Sequence, residues 1–406
     1  MALATCAAAL VVSAPAAALP PNPANSAQTI SPGFDDCPAG ESSCPARVIL
    51  EMYERWRPLN ASCDHRAVFA LTYLRTTEAF AKAIAGNPRF FEDGPWVNHE
   101  DAVFAQFYFL SYDAAVRGEP VPVAWRTAFD AAASPNVTGI GDLLLGMNAH
   151  INRDLSYTLA AVGLVKPNGG SRKTDHDKVN EFLATVADPL QDELGARYDP
   201  LFGTTDTPAP TDEAAVLEAV RGFREQAWFN AESLVNAPDA GTRSLAAASI
   251  EAQSQAYANS ILASATLPGY GPTRDAYCRK NLKPSFAVEL ADQKLKRVVR
   301  RGALRLTVTT DGPARLLLGA SRVSGPGKPN AREAGKRKRP KPLALPLRFQ
   351  TSRAGDHVAE LKLTKRGRRT LAKRRAAKLM VTLKAPGLSA TARGRLRGGP
   401  ARKPRR

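Results

Sequence analysis

Residues 143–155 read LLLGMNAHINRDL, and the spacing of their apolar residues is that of a helix. At about 100° per residue, Leu144, Ile151 and Leu155 fall on one side and form a stripe that neighbouring helices would bury. Polar residues border this stripe on both sides, whereas Arg153 falls on the opposite side. The stretch therefore predicts a partly buried helix whose buried face is edged with polar groups.

The same periodicity recurs through the first part of the chain. Apolar residues at three- and four-residue spacing predict helices over residues 46–57, 64–85, 96–117, 139–163, 174–198, 211–236 and 240–265. Pro189 is expected to kink or split the fifth of these, because proline cannot donate its backbone hydrogen bond. With no internal repeat, the pattern predicts an all-α bundle.

The second part of the chain changes to a shorter period. Runs that alternate apolar and polar residues are separated by Gly, Pro and basic turns, and they read ALRLTVTT, ARLLLGAS, PLALPLRFQ, HVAELKLT and KLMVTLKA. These runs predict the strands of a small antiparallel sandwich. The fold class expected for the whole chain is mainly α, a helical bundle followed by a small all-β sandwich-like domain.

Charge separates the same two parts. Residues 284–406 contain 34 Lys and Arg against 6 Asp and Glu, whereas residues 1–283 contain 22 against 32. A shift this abrupt indicates a domain boundary near residue 284. The expected organisation is a signal peptide (1–18), a Pro-rich lead-in (19–45), a helical domain (46–283), a basic sandwich-like domain (284–390) with a disordered loop at 325–342, and a disordered basic tail (391–406).

The first residues indicate export. Residues 2–18, ALATCAAALVVSAPAAA, form a short apolar run that closes with small residues, as in a secretory signal peptide. The basic residues that usually precede such a run are missing, which leaves an Ala-rich flexible end as the alternative. We expect a secreted or cell-envelope-associated protein, and no later apolar run is long enough to cross a bilayer.

Four cysteines remain after removal of this leader, and an even number in an exported chain favours two disulfides. Cys37 and Cys44 are close enough in sequence to close a small loop, which leaves Cys63 to pair with Cys278. A structural zinc site is the alternative, but no CxxC spacing occurs.

Five stretches together resemble a known family in their order and spacing. They read FALTYLRTT (69–77), DAVFAQFYF (101–109), LLLGMNAHINRDL (143–155), DHDKVNEFL (175–183) and REQAWFNAESL (224–234). They resemble the actinobacterial domain of unknown function 5995 family over about residues 46–240. The resemblance implies a helical fold and names no reaction.

A weaker resemblance covers the second part. ADQKLKRVVRRGALRLTVTT and ELKLTKRGRRTLAKRRAAKLMVTLKA are similar to the Arg-rich β-sandwich modules of exported actinobacterial proteins. This resemblance implies an accessory role for the basic part.

The polar residues of GMNAHINRDL are the candidate site. His150 and Asp154 are four residues apart, so on a helix they could hold one metal ion or form an acid–base pair. Asp101 and His176, from two further helices, are the other expected ligands of a divalent ion such as zinc. The alternative is a buried histidine held by its own carboxylate, as structural polar clusters commonly are.

Other polar residues of the helical part are candidates for supporting that site. They are Asn148, Asn152, Asp175, Asn180, Arg66, Tyr73 and Tyr108. Most of them have a plainer explanation: Asn148 and Asn152 would satisfy neighbouring backbone groups, Asp175 would interact with a helix dipole, and the tyrosines would be core residues with hydrogen-bonded tips.

Two functions fit these patterns. The first is an exported metal-dependent hydrolase of phosphoester type, in which the ion activates a water and the basic part holds the enzyme at an anionic surface. The second is a noncatalytic cell-envelope-associated binding protein with a structural polar cluster. No GxSxG, Walker or GxGxxG motif points to other chemistry.

The positive charge of the basic part predicts the kind of partner that it binds. Residues 284–406 should bind an anionic cell-wall polymer or lipid surface by charge. Sequence-specific nucleic-acid binding is not expected, because this part has two Phe and neither Trp nor Tyr with which to stack bases.

Overall fold

The computed structural model describes residues 37–204, 211–323 and 342–398. The predicted signal peptide (1–18), most of the Pro-rich lead-in, all but the last residue of the predicted 325–342 loop, and residues 399–406 of the predicted tail lie outside these described residues.

The chain divides into two compact units that each combine separate segments. The described residues of the first unit are 37–45, Ala79–Asp192 and, with the gap at 205–210, Leu201–Gly271. Those of the second unit are Ala46–Glu78, Glu193–Pro200, 272–323 and 342–398.

The helical prediction for the first part of the chain is confirmed. Its α-helices are α1 (Cys44–Ser62), α2 (Ala67–Gly86), α3 (Gly94–Arg117), α4 (Val123–Ala133), α5 (Gly139–Met147), α6 (Leu155–Val162), α7 (Lys173–Leu183), α8 (Ala187–Arg197), α9 (Thr211–Val235), α10 (Ala240–Ala265) and α11 (Gly271–Asn281). A π-helix (Asn148–Asp154) joins α5 to α6, and a short 3-10 helix (Pro200–Thr204) follows α8.

The helix boundaries differ from the prediction in three places. The predicted helix 139–163 contains the π-helix, which a period of 3.6 residues does not anticipate. The predicted helix 174–198 is two helices, and Pro189 lies in the first turn of α8, where its missing N–H has no intrahelical partner to lose. Helices α4 and α11 were not predicted, because both are short and α11 has few apolar residues.

The core of the first unit is aromatic and aliphatic. It joins side chains from α3, α6, α7 and α9, among them Trp96, Leu155, Leu159, Phe182 and Trp228. Asp93 caps α3 by accepting a hydrogen bond from the backbone N–H of Trp96. The buried faces of these helices also carry polar residues.

The basic part contains two antiparallel sheets. Its strands are β1 (Phe286–Leu290), β2 (Ala303–Thr310), β3 (Ala314–Arg322), β4 (Leu347–Thr351), β5 (Gly355–Lys362), β6 (Ala376–Ala385) and β7 (Leu388–Arg397), with helices α12 (Leu295–Arg301) and α13 (Lys365–Ala372) between strands. The sheet orders are β1-β2-β5 and β4-β3-β6-β7. Alternate residues of both sheets, such as Leu306, Leu318 and Val381, share one core, so the predicted sandwich follows the helical part.

Two strands differ from the prediction. Strand β1 was not predicted, because it has only five residues. Strand β7 occupies residues 388–397, and the sequence analysis assigns most of these residues to a disordered tail. In β7 the inward positions are held mainly by small residues such as Ala390 and Ala392 and the outward positions include Arg393 and Arg395. Inward and outward residues alternate in β7 as in an ordinary strand, but most of the outward residues are charged or polar, so the sequence resembles a disordered tail.

Both predicted disulfides are present. Cys37 bonds to Cys44 in the first unit, and Cys63 bonds to Cys278 in the second unit.

Among the described residues, no helix is both long enough and apolar enough to span a membrane.

Candidate functional site

The π-helix Asn148–Asp154 brings the polar residues of GMNAHINRDL into the interior. Its wider turn is visible in the hydrogen bond that the Leu155 N–H donates to the carbonyl of His150, five residues earlier. Asn148, His150, Asn152, Arg153 and Asp154 are all buried. Arg153 is only 1% exposed, so its predicted place on the outer side of a regular helix is wrong.

His150 lies in an aromatic enclosure. Its ring stacks on Phe104 of α3, with centroids 3.6 Å apart and an interplanar angle of 7°. The rings of Tyr108 and Trp125 lie 6.2 and 6.1 Å away. Burial lowers the pKa of His150, and the nearby carboxylate of Asp154 only partly opposes this effect, so the imidazole is neutral at pH 7.

Asp154 receives hydrogen bonds on both of its carboxylate oxygens. Trp125 Nε1 donates to Oδ2 at 2.8 Å, and Arg153 Nη1 donates to Oδ1 at 2.6 Å. His150 Nδ1 lies 3.3 Å from the same Oδ2. The Arg153 Nε also donates to Glu251 of α10 at 2.8 Å, so the buried charges form a compensated network.

The asparagines of the π-helix form a separate chain of hydrogen bonds. Asn152 Nδ2 donates to Asn148 Oδ1 at 2.8 Å, and Asn148 Nδ2 donates to the backbone carbonyl of Ser254 at 2.8 Å. Ser156 Oγ donates to the carbonyl of Asn152 at 3.0 Å. These bonds fix the π-helix against α10 and agree with the structural alternative for the asparagines.

A second buried polar cluster joins α3, α7 and α9. His176 Nε2 lies 3.2 Å from the backbone carbonyl of Arg224, and Arg224 Nη2 lies 3.2 Å from His176 Nδ1 and 2.6 Å from the His176 carbonyl. Because a guanidinium can only donate, Nδ1 accepts and the proton of the neutral ring is on Nε2. Burial, followed by the positive charges of Arg224 and Lys173, lowers the pKa of His176 well below its usual value.

The Asp175 side chain binds backbone N–H groups of the first unit. Its two carboxylate oxygens accept hydrogen bonds from the N–H groups of Glu92 and Asp93, both at 2.8 Å. The side chain is fully buried and ties the start of α7 to the loop that precedes α3. This is a structural role, although it is not the helix-dipole role considered from the sequence.

Glu100 adds a carboxyl group to this second cluster, and Asp101 follows it on α3. Glu100 Oε1 lies 4.0 Å from His176 Nδ1. Burial raises the pKa of Glu100 to about 7, with Asp175 adding to the shift and Arg224 opposing it. Burial, with the neighbouring Glu100, raises the pKa of Asp101 well above its usual value.

Some buried polar atoms on α3, α7 and α9 have no hydrogen bond within the described part of the chain. Asp101 Oδ2, Asn180 Oδ1 and Arg224 Nε are enclosed and have no partner among the described residues. Asn180 lies on α7 one turn beyond His176.

Glu100 and Arg224 were not predicted from the sequence. The available signal was the four-residue spacing from Glu100 to Phe104, which places the carboxyl on the inner stripe of α3.

The four predicted metal ligands are not brought together. His150 and Asp154 meet on the π-helix, whereas His176 contacts Arg224 and Glu100 in the second cluster. Within the described ranges, no three His, Cys, Asp or Glu side chains are arranged to hold a metal ion.

The remaining supporting residues are divided between the units. Tyr108 is buried beside Trp125 in the first unit, with ring centroids 5.4 Å apart. Arg66 and Tyr73 belong to the second unit, where Arg66 pairs with Asp64 at 2.6 Å and Tyr73 lies against Phe69.

The residues that build both polar clusters fall inside one matched segment. Residues 46–264 match the family described as Family of unknown function (DUF5995). The chain belongs to this family. The match extends beyond the segment expected from the resemblance and includes α10, so the DUF5995 segment also contains Glu251 and Ser254, which hold the π-helix. No curated protein and no solved structure matches the chain.

Proposed function

We propose that this DUF5995 protein is a noncatalytic binding protein of the cell envelope, held at an anionic surface by its basic part. One observation carries the proposal. The four strands of the β4-β3-β6-β7 sheet contain eight Lys and Arg residues and no Asp or Glu, and one of the eight, Arg315, is neutralised by Glu51 and Glu54. A surface of one charge sign attracts polyanions and increases their rate of association.

The second sheet shows that this charge is segregated and not merely a property of the composition. Strands β1, β2 and β5 contain three acidic residues, Glu289, Asp356 and Glu360, and two basic ones, Arg305 and Lys362. Arg305 pairs with Glu360 at 2.9 Å. The acidic strand residues of the sandwich therefore lie in one sheet and the excess positive charge lies in the other.

The polar network of the π-helix supports a noncatalytic role. A zinc-dependent hydrolase would need His150 and Asp154 to present free lone pairs to an ion that also keeps an open position for water. Both oxygens of Asp154 already accept hydrogen bonds from protein donors, and one donor is a guanidinium. A divalent ion at this point would compete with Trp125 and Arg153 for the carboxylate of Asp154, and it would meet the positive charge of Arg153.

Export fits the two disulfides, because such bonds persist in oxidising compartments. It also fits the leader-like sequence at residues 2–18. An exported protein with a basic sheet would meet wall polymers and lipid headgroups as its nearest polyanions.

The test uses the chain from residue 19 onward, purified without a histidine tag. Binding is measured to poly(glycerol phosphate), to vesicles of phosphatidylglycerol and to vesicles of phosphatidylcholine, at rising salt. We expect binding to an anionic probe that weakens steeply with salt, no binding to the neutral vesicles, and much less than one zinc per chain by elemental analysis.

Two results would overturn the proposal. The first is binding that is absent or indifferent to salt. The second is one tightly held zinc per chain together with a phosphoesterase activity that His150→Ala abolishes, which would establish the hydrolase instead.

A further inference from the structure

Edge strand β7 presents a row of three arginines on the outer face of its sheet. Arg393, Arg395 and Arg397 are exposed, while the intervening Gly394 and Leu396 face the interior of the sandwich. Successive arginines are about 7 Å apart, because a strand advances about 3.4 Å per residue. The row is a regular linear array of guanidinium groups along one strand.

The neighbouring strand widens this row. Lys378 of β6 is exposed and pairs directly with Arg395 in the antiparallel register, and Met380 pairs with Arg393. In the described part of the chain, none of the four basic side chains forms an ion pair with a carboxylate. We call Lys378, Arg393, Arg395 and Arg397 the β7 basic row.

Two members of the β7 basic row repel each other in the folded sandwich. Like charges directly opposite each other across two strands destabilise a sheet, and Lys378 and Arg395 are such a pair. A repulsive pair of like charges that no neighbouring carboxylate compensates is typical of a functional surface. A bound anion would relieve the repulsion that the folded protein otherwise carries.

Arg315 shows what a structural arginine of the same sheet looks like. It lies on β3 and donates to Glu51 and to Glu54, each at 2.6 Å, within the second unit. These carboxylates neutralise it. The β7 basic row has no such partners and keeps its charge available.

We infer that the β7 basic row binds a linear polymer with regularly spaced phosphate groups. The inference rests on the proposed function, for which it names the contact surface and the partner. Guanidinium groups bind phosphate oxygens in bidentate fashion, and a straight row of them matches an extended chain of phosphates better than a compact headgroup.

The outward-facing residues of β6 and β7 favour a polymer over a bilayer as the partner. Interfacial membrane binding buries bulky apolar or aromatic side chains below the headgroups. No large apolar residue of β6 or β7 is exposed, and the outward positions beside the row are held by residues such as Ser389 and Thr391.

The experiment compares two triple variants of the chain from residue 19 onward. The first replaces Arg393, Arg395 and Arg397 with Gln. The matched control replaces the exposed Lys365, Arg366 and Arg369 of α13 with Gln, which removes the same charge from the same unit. The probes are poly(glycerol phosphate) and phosphatidylglycerol vesicles, and thermal unfolding verifies that each variant is folded.

We expect the β7 variant to lose affinity for poly(glycerol phosphate) by at least about tenfold, and the control to lose about threefold or less. The slope of log affinity against log salt should fall by about 2 in the β7 variant, since each phosphate contact on a flexible chain contributes about 0.7.

Each other outcome overturns the inference in a distinguishable way. Equal losses in the two variants would leave charge-driven binding intact and remove its assignment to β7. Wild-type binding to the vesicles but not to the polymer would make the bilayer the partner. Wild-type binding to neither probe would overturn the proposed function together with the inference.

Discussion

Trp125 Nε1 and Asp154 Oδ2 are joined by a 2.8 Å hydrogen bond between two buried side chains, one on α4 and one at the end of the π-helix. The same oxygen lies 3.3 Å from His150 Nδ1. Asp154 is thus the group on which the π-helical network converges, and its carboxylate compensates Arg153 inside the protein. This relationship makes the network testable through the stability of the folded protein.

Replacing Asp154 with Asn should destabilise the protein by about 3 kcal/mol, because removing one partner of a buried ion pair leaves the other charge uncompensated. Glu251 still bonds to Arg153, which keeps the loss below that of an isolated buried charge. The measurement is denaturant unfolding at pH 7.

The control for this change is Arg117→Gln. Arg117 pairs with Glu119 on the surface, where both side chains are more than a third exposed, so its loss should cost less than about 1 kcal/mol. A cost for Asp154→Asn as small as that of the control would mean that the buried network is not held by this carboxylate.

Metal should not stabilise the protein. A ligand that binds the folded state raises the midpoint of thermal unfolding, so an added ion that uses His150 and Asp154 would raise it in proportion to the logarithm of its concentration. We expect thermal unfolding to be unchanged by chelator treatment and by micromolar zinc. A rise on adding zinc that disappears in His150→Ala would revive the zinc hydrolase.

Glu100 should make the protein less stable as the pH rises. Its pKa is about 7 in the folded protein against 4.5 as the ordinary value, so the folded state holds a proton that the unfolded state releases. The stability this proton contributes is fully present below pH 4.5 and is lost as the pH rises through 7. Arg224 favours the ionised form and Asp175 disfavours it.

The variant Glu100→Gln isolates this effect. Its stability relative to the wild type should rise by roughly 2 to 3 kcal/mol between pH 5 and pH 8, because the amide cannot ionise. Exposed Glu181→Gln is the control and should show no such trend. His176 changes stability in the opposite sense, at acidic pH, in both proteins. Parallel curves for wild type and Glu100→Gln would contradict the prediction.

The fold class could be predicted because two periodicities survive in the sequence. Apolar spacing of three and four residues predicts the helices, and alternation predicts five of the strands. Strand β7 escaped because its charge resembles that of a disordered tail, although Ala390, Ala392 and Leu396 keep the inward alternation. The charge of this segment led to the wrong prediction, whereas the alternation of its side chains would have predicted the strand.

The candidate site could be predicted only in part. His150 and Asp154 were expected to be neighbours, and they are. Arg153 was placed on the outer side because a regular helix was assumed, and the π-helix turns it inward to bond with Asp154 and Glu251. Arg224 could not be found, because a charged residue on a long helix is ordinarily a solvent-facing one.

The two disulfides should differ in their contribution to stability. In the chain-entropy treatment, a disulfide restricts the unfolded chain more when it closes a longer loop. Cys63–Cys278 spans 215 residues and Cys37–Cys44 spans 7. Replacing Cys63 and Cys278 with Ser should therefore lower the free energy of unfolding by roughly 5 kcal/mol, and replacing Cys37 and Cys44 with Ser should lower it by roughly 2.5 kcal/mol.

Denaturant unfolding of the two double variants, monitored by helix content and compared with the reduced wild type, measures both. An equal cost for the two pairs, or a larger cost for the short loop, would show that native contacts around Cys37 and Cys44 outweigh loop entropy.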